Sequence, residues 1–174
     1  NSFSFGDNGS RAYVTNSSTN RIWGFTLNTP YDVSSLTLGS ATELAINQLV
    51  AATDPLTPVA VRFNNDGTKL FALDSTGDRI YRVSLSTPYD VGTASDDGVR
   101  SAVLDDSTST DFVFAENGNV LLLLGADADD VLEYILGSPY DVTSANLTGT
   151  KLDVSGVETN ATGIFLSADE TKLY

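Results

Sequence analysis

Carboxylates dominate the chemistry open to this chain. Among 174 residues there are 23 Asp and Glu against nine Lys and Arg, with no His and no Cys, for a net charge of −14. Without imidazole or thiol, a Ser-His-Asp triad, a thiolate nucleophile and a zinc–thiolate centre are all excluded within the chain. What remains is carboxylate work: general acid–base catalysis, or oxygen ligation of a hard cation. The densest acidic group is Asp127, Asp129 and Asp130, whose alternating side chains could offer oxygens to Ca²⁺. The segment has no Gly-bearing twelve-residue loop closed by Glu, so it is not an EF-hand, and its place between two strands reads as a solvated hairpin tip. Asp105–Asp106 and Asp96–Asp97 read as polar loops. Glycoside hydrolysis needs two carboxyls about 5–9 Å apart across a sugar; with this many acids, sequence selects no pair.

Three further carboxylates, Asp32, Asp90 and Asp141, each close the triplet Pro-Tyr-Asp and precede Val. Pro fixes φ, and an Asp at this place bonds backbone amides just downstream. A feature present in every copy serves the copy, so these three are expected to be turn residues. Arg62 is the opposite case. Ser4, Val113 and Phe165 occupy its aligned positions, so Arg62 is the candidate ligand contact should the first strand of its unit face a central channel. Sequons stand at Asn8, Asn16, Asn146 and Asn160. Their number is close to chance for this composition, and Asn8 lies in a tight turn, leaving Asn16, Asn146 and Asn160 as glycan acceptors in a permissive compartment.

The elements that position these residues follow from internal repetition. Pro-Tyr-Asp-Val occurs three times, at 30–33, 88–91 and 139–142. Upstream of each lies an aromatic residue and a Gly-containing turn: FGDNGSRAY from Phe5, FNNDGTKLF from Phe63 and FAENGNVLL from Phe114, with LSADETKLY from Leu166 as a fourth copy. The second unit shows the strand pattern: residues 59–63, a turn at 64–69, a strand at 70–74, a turn at 75–78, a strand at 79–85 and a fourth strand expected at 100–104. Along the third strand one face reads Trp23, Phe25, Leu27, then Tyr81, Val83, Leu85, then Leu132, Tyr134, Leu136. This period of two is that of a strand burying one face. Residues 42–51 alone are ambiguous between helix and strand. Four short antiparallel strands in roughly fifty residues make one propeller blade, and such units bury their faces only by stacking.

Tyr13-Val14-Thr15-Asn16 after a Gly-containing turn resembles the YVTN-type β-propeller repeat, and the run from Phe63 to Tyr81 is similar to lactonase-like, NHL-like and WD-like blades. The resemblance covers essentially the whole chain and implies a propeller fold, often in an extracellular or cell-surface setting, without fixing an activity.

The fold expected is therefore all-β: tandem propeller blades in units near 1–57, 58–108, 109–160 and a truncated 161–174. The function expected is a non-enzymatic extracellular binding or structural module, at a cell surface, in an adhesin or S-layer-like protein, or in a virion fibre. It would bind a protein or carbohydrate at a propeller face, with its ring completed by further blades or further copies. The alternative is a lactonase-like hydrolase or lyase with a carboxylate-bound divalent metal. No cofactor is expected on the main reading, Ca²⁺ being the exception at Asp127, Asp129 and Asp130. The acidic charge disfavours nucleic acid, and no apolar run near eighteen residues supports membrane insertion. The absence of Met at residue 1 suggests a processed product, a domain or part of a longer chain.

Overall fold

Aromatic and β-branched residues at alternate positions, broken by Asn-, Asp- and Gly-rich turns, fold into twelve short strands among the described residues. A computed structural model describes residues 2–50, 56–126 and 129–174. The first sheet contains β1 (Phe3–Gly6), β2 (Arg11–Asn16), β3 (Arg21–Thr26) and β4 (Thr42–Ala45). The second contains β5 (Pro58–Phe63), β6 (Lys69–Asp74), β7 (Arg79–Leu85) and β8 (Ala94–Arg100). The third contains β9 (Ser109–Ala115), β10 (Val120–Gly125), β11 (Asp130–Ile135) and β12 (Asn146–Asp153). Each is an antiparallel meander with its strands in sequence order. A fourth unit is represented by the bridge Leu166–Leu173.

The sheets pack face to face like wedges. Strand β5 touches both β1 and β9, whereas β4 and β8 meet the next unit only through its outer turns. First strands therefore lie innermost and fourth strands fan outwards, as in propeller blades. The ring is not closed by these units. Between the first two blades lies a core of Tyr13, Ile22, Leu44, Val61, Leu70, Tyr81, Val83 and Leu85. The next core joins Phe71, Leu73 and Ile80 to Phe112, Leu121, Leu123, Tyr134 and Leu136. A smaller one sets Val113, Leu124 and Val131 against Ile164. Thus the third-strand triplets of the second and third blades face the preceding blade, and Ile22, Ile80 and Val131 face the following one. Leu85 and Leu136 are buried between blades. Leu27 is also buried but stands outside these inter-blade clusters, while Phe3 and Phe5 on the same side of the first blade are 50% and 38% exposed.

The Pro-Tyr-Asp-Val segment proves to be a clasp. Tyr31, Tyr89 and Tyr140 all adopt left-handed backbone with φ of 64°, 60° and 61°. Their N–H groups donate to the carbonyls of Gly9, Gly67 and Gly118 at 2.8–2.9 Å, and each ring lies on that glycine, where a Cβ would collide with it. The following carboxylate then caps a 3₁₀ turn: Asp32, Asp90 and Asp141 accept from the amides of Ser34, Gly92 and Thr143 at 2.9, 3.0 and 3.1 Å.

Two local expectations change. The fourth strand of the second blade is β8, at Ala94–Arg100, not residues 100–104; it pairs with β7 through Asp96, whose neighbour Asp97 accepts from Arg82 at 2.9 Å. The ambiguous segment divides between β4 and a single turn of helix, α1 (Ile46–Leu49).

Candidate functional site

Innermost strands and the hairpins that leave them create a polar cleft between the first and second blades. It has a volume of about 340 Å³ and is lined by Ser4, Phe5, Gly6, Asp7 and Asn8 from one side and Val61–Asn65 with Tyr89 from the other. Its position follows from the clasp: Tyr89 is pinned over Gly67, its hydroxyl donates to the Asn65 carbonyl at 2.9 Å, and its own carbonyl accepts from the Tyr13 hydroxyl of the first blade at 2.6 Å. Burial pushes the Tyr89 phenol above its ordinary pKa, and the fields of Asp7 and Asp66 raise it further, so it stays protonated. Asp7 is the single carboxylate of the lining. Asp7 and Asn8 both sit in left-handed conformation, at φ 50° and 51°, and Asp7 accepts from the Ser10 hydroxyl at 2.5 Å. The Ser4 hydroxyl, on β1, is buried and has no hydrogen-bond partner among the described residues. An orphaned buried hydroxyl costs about 1–3 kcal/mol unless something meets it.

The amides at this rim are already employed. Asn65 donates to Asn117 at 3.3 Å and accepts from the Tyr140 hydroxyl at 2.7 Å. Asn64 accepts from the Lys69 amide at 2.9 Å. The Glu170 carboxylate accepts from the Glu116 amide at 2.9 Å. Hairpins of the second, third and fourth units are thus stitched along one rim.

Arg62 lies on an innermost strand, and part of it lines the cleft. Its guanidinium, however, reaches across to the third blade. Nη2 donates to Asp111 at 2.7 Å and to the Ile164 carbonyl at 3.4 Å, and Nη1 to the Val61 carbonyl at 2.8 Å. It also stands over the Phe112 ring, 5.7 Å from the centroid. Asp111 accepts in addition from the amides of Phe112 and Ile164 at 2.8 and 3.1 Å. Arg62 and Asp111 therefore clip the second, third and fourth units together near the axis.

Asp127 lies outside the described residues. Asp129 precedes β11 at φ 50°, and Asp130 is not at an exposed tip: it is 2% exposed and accepts from Lys151 at 2.7 Å. Among the described residues no group of three or more acidic side chains is placed to hold a metal ion. Asn146 and Asn160 are exposed, while Asn16 is half-buried and accepts from the amides of Ser18 and Thr19. No described helix is long and apolar enough to cross a membrane.

Solved structures place this architecture. A candidate 6-phosphogluconolactonase from Bacteroides fragilis superposes with a TM-score of 0.60 at 15% identity, covering 99% of this chain and 46% of that one. The fold is that of a β-propeller. The periplasmic gluconolactonase of Pseudomonas aeruginosa gives a TM-score of 0.59 at 15% identity over 87% of this chain and 39% of its own. A Lactobacillus plantarum protein gives 0.60 at 16% identity over 99% and 48%. The chain spans less than half the length of these three structures. No family model matches it, and no curated protein sequence matches it.

In the sequence, Ser4 stands out only as the residue aligned with Arg62, where the copies disagree, and nothing local marks Asp7. That disagreement was the available signal: positions that differ between blades are free of the blade's own packing and can serve a ligand.

Proposed function

We propose that this chain is part of a lactonase-like propeller whose polar cleft binds a hydroxylated lactone. This replaces the non-enzymatic surface module as the preferred reading. The observation that supports it is the pairing, in one polar cleft of about 340 Å³, of a lone carboxylate at Asp7 with an unpartnered hydroxyl at Ser4. The naming of two superposable propellers as a candidate 6-phosphogluconolactonase and a gluconolactonase points the same way.

Asp7 takes a proton from water as the water oxygen attacks the lactone carbonyl carbon; the ring C–O bond then breaks, the protonated Asp7 gives that proton to the leaving ring oxygen, which becomes a hydroxyl, and the carboxylate is restored. The product is the open hydroxy acid. A positioned general base of this kind contributes about 10²–10⁴-fold. Ser4 would meet a substrate hydroxyl or carbonyl, removing its desolvation penalty on binding.

The test is hydrolysis of glucono-δ-lactone followed by pH-stat titration above the spontaneous rate. Asp7→Asn should lower the enzymatic rate about 100-fold or more while binding of a lactam analogue, which cannot be opened, changes little. Equal rates for both proteins would remove Asp7 from the chemistry. No rate above background together with no lactam binding would remove the lactonase reading altogether.

A further inference from the structure

We infer that the cleft selects an uncharged lactone and rejects its phosphorylated counterpart; this rests on the lactone-binding reading above and adds the substrate's charge. The two named neighbours, a gluconolactonase and a candidate 6-phosphogluconolactonase, frame the choice. A phosphate ester needs several charge-assisted donors converging on its oxygens, most often from Arg or Lys. The cleft provides few. Its one cation, Arg62, is committed to Asp111 and to the carbonyls of Val61 and Ile164. Lys69, at the foot of the neighbouring hairpin, donates to Ser84 at 2.7 Å and lies 3.6 Å from Asp97. Arg11, at the foot of the first hairpin, is not among the residues that line the cleft.

The mouth of the cleft is meanwhile acidic. Successive hairpins bring Asp7, Asp66, Glu116 and Glu170 to one rim, joined by the Glu116–Glu170 contact and the Asn65–Asn117 bond. Both Asp7 and Asp66 act on the Tyr89 phenol inside the cleft, and Asp66 and Glu170 on Tyr140 beside it. A phosphate dianion approaching this solvent-exposed rim meets like charge, which salt weakens. The hydroxyls of a neutral polyol, by contrast, are donors, which suits carboxylate and carbonyl acceptors.

The experiment compares gluconolactam, a stable lactone isostere, with gluconolactam 6-phosphate by isothermal titration at 20 mM and 300 mM salt. The neutral lactam should bind about tenfold or more tightly than its phosphate at low salt, the gap narrowing at high salt as the rim is screened. Asp66→Asn keeps the oxygen that caps Thr68 but loses the charge. It should tighten phosphate binding several-fold and leave the neutral lactam unchanged, with an unaltered melting temperature as the folding control. Phosphate binding as tight as or tighter than that of the neutral lactam would overturn the charge selectivity and leave lactone binding standing. Binding of neither compound at 10 mM would overturn the lactone reading and the selectivity with it.

Discussion

At the scale of single residues, the molecule depends on short-range bonds made three times over. Each Tyr of the clasp tolerates a left-handed backbone because its N–H and its ring are both held by one glycine. Each carboxylate beside it bonds an amide two residues on. Local bonds of this kind were legible in the sequence, since Pro-Tyr-Asp-Val carries its own geometry wherever it stands. They also carry a pH dependence. Hydrogen bonds from Ser34, Thr68 and Thr143 hold Asp32, Asp66 and Asp141 below the ordinary carboxylate value of 3.8. A depressed folded-state pKa means that the stabilisation is complete above the unfolded value and disappears as pH falls through the folded one. Stability should therefore be level above about pH 5 and decline below about pH 4. Asp141→Asn, which keeps an accepting oxygen but does not titrate, should make that decline shallower. Urea midpoints measured from pH 7 to 2 check this; superimposable acid limbs would mean that the caps do not contribute to acid lability.

At the scale of elements, packing decides which strands could be read. The third strand alternates because one face meets the preceding blade. In β7, Tyr81, Val83 and Leu85 enter the first core while Ile80 turns into the second. Leu85→Ala should cost about 2–5 kcal/mol, the range for a large-to-small change in a packed core, and Leu136→Ala a similar amount. A loss under about 0.5 kcal/mol in denaturant titration would contradict the inter-blade register. The outer strands gave no such pattern. Strand β12 is exposed along its whole length, and β8 is Ala-Ser-Asp-Asp-Gly-Val-Arg with no residue fully buried. An edge strand under no burial constraint has no period to display, whereas the short apolar run Ala102-Val103-Leu104 just beyond it stands out in the sequence. Asp130 was misread for a related reason. Lys151, its partner, comes from the outer strand of the same sheet, and nothing local announces that pairing. The cleft was hidden likewise, because it joins two hairpins from different blades.

At the scale of the whole molecule, the blades form a line in which each contacts only its neighbours, so stability is shared through the two faces of each sheet. The second blade has a packed core on both faces, while the first has one on its trailing face alone. Backbone amides of β6 and β7 should therefore exchange with deuterium most slowly, and those of β1 and β12 fastest, by native-state hydrogen exchange. Uniform protection across all sheets would show instead that the units open together. The unequal faces have a consequence for symmetry. One end offers Phe3, Phe5 and Val33, with Tyr31 beside them. The other offers an apolar hollow of about 480 Å³ between Leu124, Val131 and Leu152 and the last residues. These two surfaces are built from different residues. A contact that seated one on the other would join unlike patches, with a head and a tail, and such a contact propagates until its rotation closes a circle or runs on as a fibre.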